Sequence, residues 1–421
     1  MYQGTRNAPS TKVVVPFFIL SASSWVAALL FLLFHASSIL HKPFFNPDML
    51  AVTHLLVLGF MTSVIIGALF QLLPVIFLQS LYSEKIGKAV FYFLLTGVIG
   101  LSASFYFGID GGGLTLFGTL VNIAVILFVI NIWGTIGKST ENPVAKLFVR
   151  TSAVWLLITT LIGLLLAINF LHPYLRFNHL ELLKVHAHIG IFGWFIFLII
   201  GVSSVLIPMF LLVHKESKKP LYIAYYLLVS GILLGITGKI WSTFYLLEMG
   251  YGFVAGGLLS YAYFIYNVYK QRMRKNLAYD LKKSMTSYIP LLLAIPVAIL
   301  FLVEFNSKFN LSVFYIVILL IGFISTLILG MFYKTLPFII WLKVYKAHVG
   351  KVKTLLPKDL YDPKILKAHF YFHIIGFLIL AISLVTMETL IFYIGVASLL
   401  IGAVLFFINV LEVATHKRKE L

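Results

Sequence analysis

The sequence predicts an all-α membrane protein with twelve transmembrane helices arranged in three pseudo-symmetric four-helix repeats. Three features predict this architecture: an apolar composition, a series of long apolar runs, and a residue pattern that recurs along the chain. Of the 421 residues, 61% are hydrophobic and only 11% are charged, and the mean hydropathy is +1.02. A soluble domain of this composition could not cover its surface with polar groups. We therefore expect one transmembrane domain over residues 1–421.

Twelve apolar runs reach the length of about 20 residues that a helix needs to cross a bilayer. The connections between them are short, so the sequence gives no indication of a fused soluble domain. The runs lie at about residues 13–34, 49–78, 88–108, 113–136, 146–171, 182–212, 220–243, 247–270, 287–305, 311–342, 366–387 and 389–413.

One pattern of a leading residue, two glycines and a proline recurs in the second, sixth and tenth of these runs. The leading residue is His54 in the first copy, His188 in the second and Val317 in the third. Each copy lies in the second helix of a block of four, which predicts repeats at about 13–137, 146–271 and 287–413. The full copies are His54, Gly59, Gly67 and Pro74; His188, Gly193, Gly201 and Pro208; and Val317, Gly322, Gly330 and Pro337.

Helix geometry indicates what this pattern does. At about 100° per residue, the glycines and the proline point away from the leading residue. Glycines allow a neighbouring helix to approach closely. We therefore expect each copy to pack its glycine face against another helix, with the leading histidine facing the bundle interior.

The charge distribution predicts an orientation. The net charge is +18, and with a cytoplasmic N-terminus most of the 32 Lys and Arg residues fall on the cytoplasmic side. This predicts a multi-pass protein of the cell inner membrane with both termini in the cytoplasm. The basic loops at 270–283 and 343–367 favour anionic membrane lipid, and not nucleic acid, as the partner. The absence of cysteine excludes disulfides, thiolate metal sites and covalently attached c-type haem.

Three histidines begin predicted spans at a similar depth near the outer side: His54, His186 and His188. Histidine within a span is costly and usually faces the bundle interior or a polar cavity. We expect His54 and His188 to bind a haem as its two axial ligands. His186 points about 200° away from His188 on a regular helix, so it is expected to bind a copper ion or a second haem. The alternative is that all three bond only to backbone or water at the membrane interface.

A second group of ionisable residues is predicted near the inner side. His369 and His373 are four residues apart and share one helix face, so they could hold a metal ion together. The alternative is a pair at the membrane interface. Lys239 and Lys334 are the cations within predicted spans, and both could extend to the membrane interface. Lys239 lies in the outer half of its span, so it could instead pair with a haem propionate, as could Arg176, Lys184 and Lys42.

The outer histidines resemble those of subunit I of the haem–copper oxidase and nitric oxide reductase superfamily. His186-Ala187-His188 is similar to that family's His-x-His pair, whose two histidines serve two haems, and His54 is similar to the second axial ligand. The spacing of histidine, glycines and proline also resembles the NnrS family of haem- and copper-containing membrane proteins linked to nitric oxide stress. The resemblance implies haem b, a separate electron donor, and a role in electron transfer or in handling nitric oxide or oxygen.

The sequence departs from the oxidase pattern in its copper site. The His-Pro-Glu-Val-Tyr-like run of that family is absent, and the seventh and tenth predicted helices contain no histidine. An oxygen-reducing binuclear centre is therefore not expected, and whether the protein is an oxidoreductase stays open. Two alternatives remain: a repeat-built transporter of metal ions or small solutes that uses intramembrane histidines, and a non-catalytic assembly or sensor protein.

Overall fold

The computed structural model describes residues 7–43, 45–108, 111–176, 178–302 and 309–418. Over these residues the chain is helical and contains no strand. A short helix, Ala36–His41, separates the first two of twelve long helices. The long helices are α1 Thr11–Phe34, α2 Pro47–Phe77, α3 Glu84–Tyr106, α4 Gly111–Ile136, α5 Pro143–Leu171, α6 His179–Leu211, α7 Lys219–Ile240, α8 Phe244–Lys270, α9 Tyr279–Phe301, α10 Leu311–His348, α11 Pro363–Thr386 and α12 Thr389–Ala414.

Eleven of these helices are long and apolar enough to cross a membrane, and α8 is the exception among the described residues. Its 27 residues would span about 40 Å at 1.5 Å per residue, so its length is sufficient. Its sequence, however, contains six tyrosines and four glycines, which lower its hydropathy. The prediction of twelve spans is therefore confirmed for eleven, whereas the eighth run forms a helix without the apolar character of the others.

Polar side chains define where several helices begin. The side chain of the residue before the helix accepts a hydrogen bond from a backbone amide of the first turn, which satisfies a donor that the helix leaves free. Such caps precede α1, α2, α3, α6, α10 and α11, and the capping residues are Ser10, Asn46, Ser83, Asn178, Asn310 and Asp362.

Three helices contain a π-helical segment at corresponding positions. Each segment is eight residues long and begins one residue after the leading residue of the recurrent pattern, His54, His188 or Val317. π-Helical turns are rare and occur frequently at functional sites. The pattern therefore coincides with an unusual backbone conformation even in α10, where the histidine is absent. The segments are Leu55–Thr62 in α2, Ile189–Ile196 in α6 and Ile318–Ser325 in α10.

The expected close packing at the glycines is confirmed. A Cβ atom added to Gly67 would lie 2.7 Å from Phe17 Cβ of α1, and one added to Gly201 would lie 2.8 Å from Phe148 Cβ of α5. Neither position has room for a side chain, so the glycines set the distance between the paired helices. In the same way Gly59 faces Ser24 of α1, Gly193 faces Trp155 of α5, Gly330 faces Ser284 of α9, and Gly322 faces Phe377 of α11.

The helices close into one bundle around a continuous apolar core. Helix α1 packs along α12, and Phe18 of α1 makes an edge-on ring contact of 5.1 Å with Phe332 of α10. Helices α2 and α6 are joined by a buried hydrogen bond of 3.1 Å from Trp194 Nε1 to Thr62 Oγ1. The helices that carry the recurrent pattern therefore lie in the interior, where their leading residues can face other parts of the bundle.

Candidate functional site

The three outer histidines share one hydrogen-bonding arrangement. Nδ1 lies 2.7 Å from the Leu50 carbonyl in His54, 2.9 Å from the Thr159 carbonyl in His186, and 2.8 Å from the Lys184 carbonyl in His188. A carbonyl oxygen only accepts, so Nδ1 carries the proton and Nε2 presents a lone pair. Within the described part of the chain, no hydrogen bond reaches Nε2 in any of the three. Metal-bound histidines are oriented by this kind of bond.

His54 and His186 lie within electrostatic range of each other, so a positive charge on one ring would disfavour a charge on the other. His54 stacks on Phe105 of α3 at 4.9 Å between ring centroids. His186 lies over Gly163 of α5, where an added Cβ would be only 2.9 Å from the imidazole Cε1. The missing side chain at Gly163 thus provides the space that the His186 ring occupies.

His188 faces different surroundings from those that the repeat predicts. It shows no corresponding interaction with His54 among the described residues, and its ring instead lies 6.4 Å from that of Tyr251 in α8. The physical reason is the spacing in His186-Ala187-His188, because two residues that point about 200° apart cannot both face the same partner. Sequence equivalence favours His188 as the haem partner of His54, and this stays a prediction, whereas the electrostatic interaction of His54 in the structure is with His186.

An ion-pair network lies beside His188. Glu181 Oε1 is 2.6 Å from Lys184 Nζ, and Glu181 Oε2 is 2.9 Å from Lys239 Nζ. Lys239 therefore pairs with a carboxylate of the chain itself, a partner that the sequence did not predict. Two lysines and one carboxylate leave this network with a net positive charge near His188. A cavity of about 190 Å³ begins nearby, between α6, α8, α9 and α10, with Tyr251 in its wall.

The inner histidine pair is buried inside the helix bundle. His369 and His373 are each 1% exposed. His373 Nε2 lies 2.9 Å from Thr326 Oγ1 of α10, whereas the His369 ring packs at 5.5 Å from that of Phe406 in α12. Among the described residues, no three or more His, Asp or Glu side chains converge in a way that could hold a metal ion. Any metal at this pair would therefore be bound by the two imidazoles without a carboxylate.

An ion pair that the sequence did not reveal lies near the inner histidines. Lys334 Nζ of α10 is 2.8 Å from Asp280 Oδ2 of α9, and the Asp280 side chain is 2% exposed. Asp280 was expected in a loop because the predicted run begins at residue 287, but α9 begins at Tyr279. In the loop between α10 and α11, burial and the nearby Asp280 and Asp359 raise the pKa of the Tyr361 hydroxyl to about 12, so this phenol stays neutral.

A buried chain of hydroxyl groups joins three helices. Tyr261 of α8 lies 2.7 Å from Ser203 of α6 and 2.7 Å from Tyr288 of α9, measured between side-chain oxygens. All three residues are buried. Aromatic patterning alone did not separate these tyrosines from the many others, because their hydrogen bonds depend on how the helices pack.

No protein-family model matches the chain, and no curated protein matches it either.

Proposed function

We propose that the protein is a haem-binding, multi-pass membrane protein in which His54 and His186 would hold one haem b. The proposal is supported most strongly by two neutral imidazoles, one on α2 and one on α6, that lie within electrostatic range of each other and whose Nε2 atoms have no hydrogen bond among the described residues. Two neutral imidazoles suit both axial positions of a haem iron. The proposed role is electron transfer or the handling of nitric oxide or oxygen.

The residues around this pair are consistent with a haem site. Haem iron with two histidine ligands supplies one-electron redox chemistry. The carbonyls of Leu50 and Thr159 hold the two imidazoles in the ligating tautomer and limit their rotation. The sequence has no cysteine, so the group would be held without thioether bonds. An electron donor would have to be a separate molecule.

We also propose that the chain consists of three four-helix repeats in the cell inner membrane, with both termini in the cytoplasm. Three π-helical segments at equivalent positions support the repeats, as do the contacts of Gly67, Gly201 and Gly330 with the first helix of each block. The excess of Lys and Arg in the loops assigned to the cytoplasm supports the orientation. Cysteines introduced singly into the loops and labelled from one side of the membrane would test it.

The haem proposal is tested with detergent-purified protein. We expect reduced-minus-oxidised bands of a low-spin b-type haem, and one haem per chain by pyridine haemochrome. His54→Ala and His186→Ala should lose the spectrum, whereas His188→Ala should keep it. The matched control is His35→Ala, because the Nδ1 of His35 also bonds to a carbonyl, that of Phe31, at 3.0 Å.

Two results would contradict the proposal at different levels. Wild-type protein that contains no haem after expression with ample haem supply would refute the function. Loss of the haem in His188→Ala together with its retention in His186→Ala would keep the function but replace the ligand pair with His54 and His188, as sequence equivalence suggests.

A transporter is the second candidate, and the ion pair between Lys334 and Asp280 favours it. Ionisable side chains within spans often mark ion or substrate pathways. In proteoliposomes a transporter would show uptake of a metal ion or a small solute that is lost in Asp280→Asn. Uptake by haem-free protein would favour this candidate over the haem protein.

A further inference from the structure

His369 is an unusual buried residue because its ring makes no hydrogen bond within the described residues. It is 1% exposed, and its Nε2 is fully enclosed without a partner. An imidazole has one donor and one acceptor nitrogen, and burying either without a partner costs ~1–3 kcal/mol. A buried ring nitrogen without a protein partner can be satisfied by a bound water molecule or ion.

The ring of the neighbouring His373 also has a buried nitrogen without a hydrogen bond. Its Nε2 lies 2.9 Å from Thr326 Oγ1, and this hydroxyl lies 3.3 Å from the Ile321 carbonyl. The carbonyl can only accept, so the Thr326 hydroxyl donates to it and accepts from Nε2–H of His373. This tautomer leaves a lone pair on His373 Nδ1, which is also buried without a hydrogen bond. His369 and His373 are four residues apart on one face of α11, so two enclosed ring nitrogens without hydrogen bonds lie on the same side of this helix. No hydrogen bond fixes the tautomer of His369, so its Nε2 is free to present a lone pair as well.

The surroundings restrict what could bind there. His369 packs against Tyr333 at 5.7 Å and Phe406 at 5.5 Å, and His373 lies 6.2 Å from the Trp25 ring of α1. In the described part of the chain, no carboxylate joins the pair to form a three-ligand group. A dication would bring two uncompensated charges into this apolar site, and the cost of burying charge rises with the square of the charge.

We propose that His369 and His373 bind one cuprous ion. Imidazole nitrogen suits copper, and a monovalent ion minimises the charge that the apolar surroundings must accept. The hydrogen bond from His373 to Thr326 fixes the tautomer and direction of one ligand. The site lies on α11 against α10, whereas the proposed haem ligands lie on α2 and α6, so the two proposals stand independently.

The test is a Cu(I) titration of the full-length protein in detergent without oxygen, in competition with bathocuproine disulfonate. We expect one Cu(I) per wild-type chain. His369→Ala and His373→Ala should lose this binding, and Thr326→Val should weaken it ~10–100-fold because it removes the orienting bond. His214→Ala, which changes an exposed histidine, is the matched control and should bind like the wild type.

Retention of the wild-type haem spectrum and circular dichroism in His369→Ala would show that its loss of copper is not unfolding. If that variant does not fold, the wild-type protein and Thr326→Val still decide the matter. X-ray absorption of the wild-type protein should show Cu(I) bound by imidazole nitrogen alone. The proposal is overturned if wild-type protein binds no Cu(I), if His369→Ala and His373→Ala bind it with unchanged affinity, or if Zn²⁺ displaces it stoichiometrically.

Discussion

The ion pair between Lys334 and Asp280 makes an asymmetric prediction about stability. At 2.8 Å the two charges attract each other by ~6 kcal/mol for an effective dielectric constant of about 20. Most of this attraction offsets the cost of taking the charges out of water, but removal of one partner leaves the other uncompensated and typically costs ~3–5 kcal/mol. The side chain of Lys334 is 25% exposed and that of Asp280 is 2% exposed.

The two single substitutions should therefore differ. Lys334→Met leaves a carboxylate that cannot reach water, and we expect a loss of ~3–5 kcal/mol in the free energy of unfolding. Asp280→Asn leaves a lysine that can extend toward the membrane surface, and we expect a smaller loss of ~1–3 kcal/mol. The double variant should be more stable than Lys334→Met because it contains no unpaired charge.

The measurement is reversible unfolding in mixed micelles with increasing dodecyl sulfate, followed by circular dichroism for all four proteins. The double-mutant cycle gives the coupling between the two residues. The reasoning is refuted if Asp280→Asn destabilises the protein as much as Lys334→Met, or if the double variant is the least stable of the four.

Two further substitutions test the packing of the helices that carry the recurrent pattern. Gly193→Ala would place a Cβ atom 2.6 Å from Trp155 Cγ, so we expect a loss of ~1–3 kcal/mol, whereas Gly235→Ala has no heavy atom within 4 Å and should be neutral or slightly stabilising. Equal melting temperatures for these two variants would contradict the packing. Thr62→Val removes the acceptor of the buried Trp194 indole and should cost ~1–3 kcal/mol by the same unfolding assay; an unchanged stability would show that this bond does not hold α2 to α6.

Hydropathy and residue spacing were sufficient to locate the helices and the glycine contacts, because both depend on local sequence. They were insufficient for α9, whose first turn is polar. Asp280 becomes a buried helical residue because Lys334, 54 positions later, packs beside it, and no local pattern contains that partner. Prediction from the sequence therefore succeeded where the burial of a residue depends on its own segment. It failed for Asp280, whose burial depends on contact with a distant segment.

The candidate site shows the same division. The sequence singled out His54, His186 and His188 as candidate ligands, and the fold places all three at the same end of the bundle, whereas their binding of haem stays a prediction. It could not establish which two would meet, because the choice depends on the rotation of α6 about its own axis. The inner pair was also found by spacing, but the complete burial of His369 and His373 results from packing by α1, α10 and α12.

The π-helical segments have a mechanical consequence for the helices that contain them. A π-turn accommodates one residue more than an α-turn, so it changes the angular phase between the two ends of a helix by about 100°. In α2 the segment lies between His54 and Gly67, and deletion of one residue from it would turn the imidazole away while Gly67 stayed against α1. Helix α10 keeps the same offset with Val317 in place of histidine. The change in angular phase therefore follows from how these helices pack against their neighbours. The leading position can carry a histidine that could act as a ligand, as in α2 and α6, or lack one, as in α10.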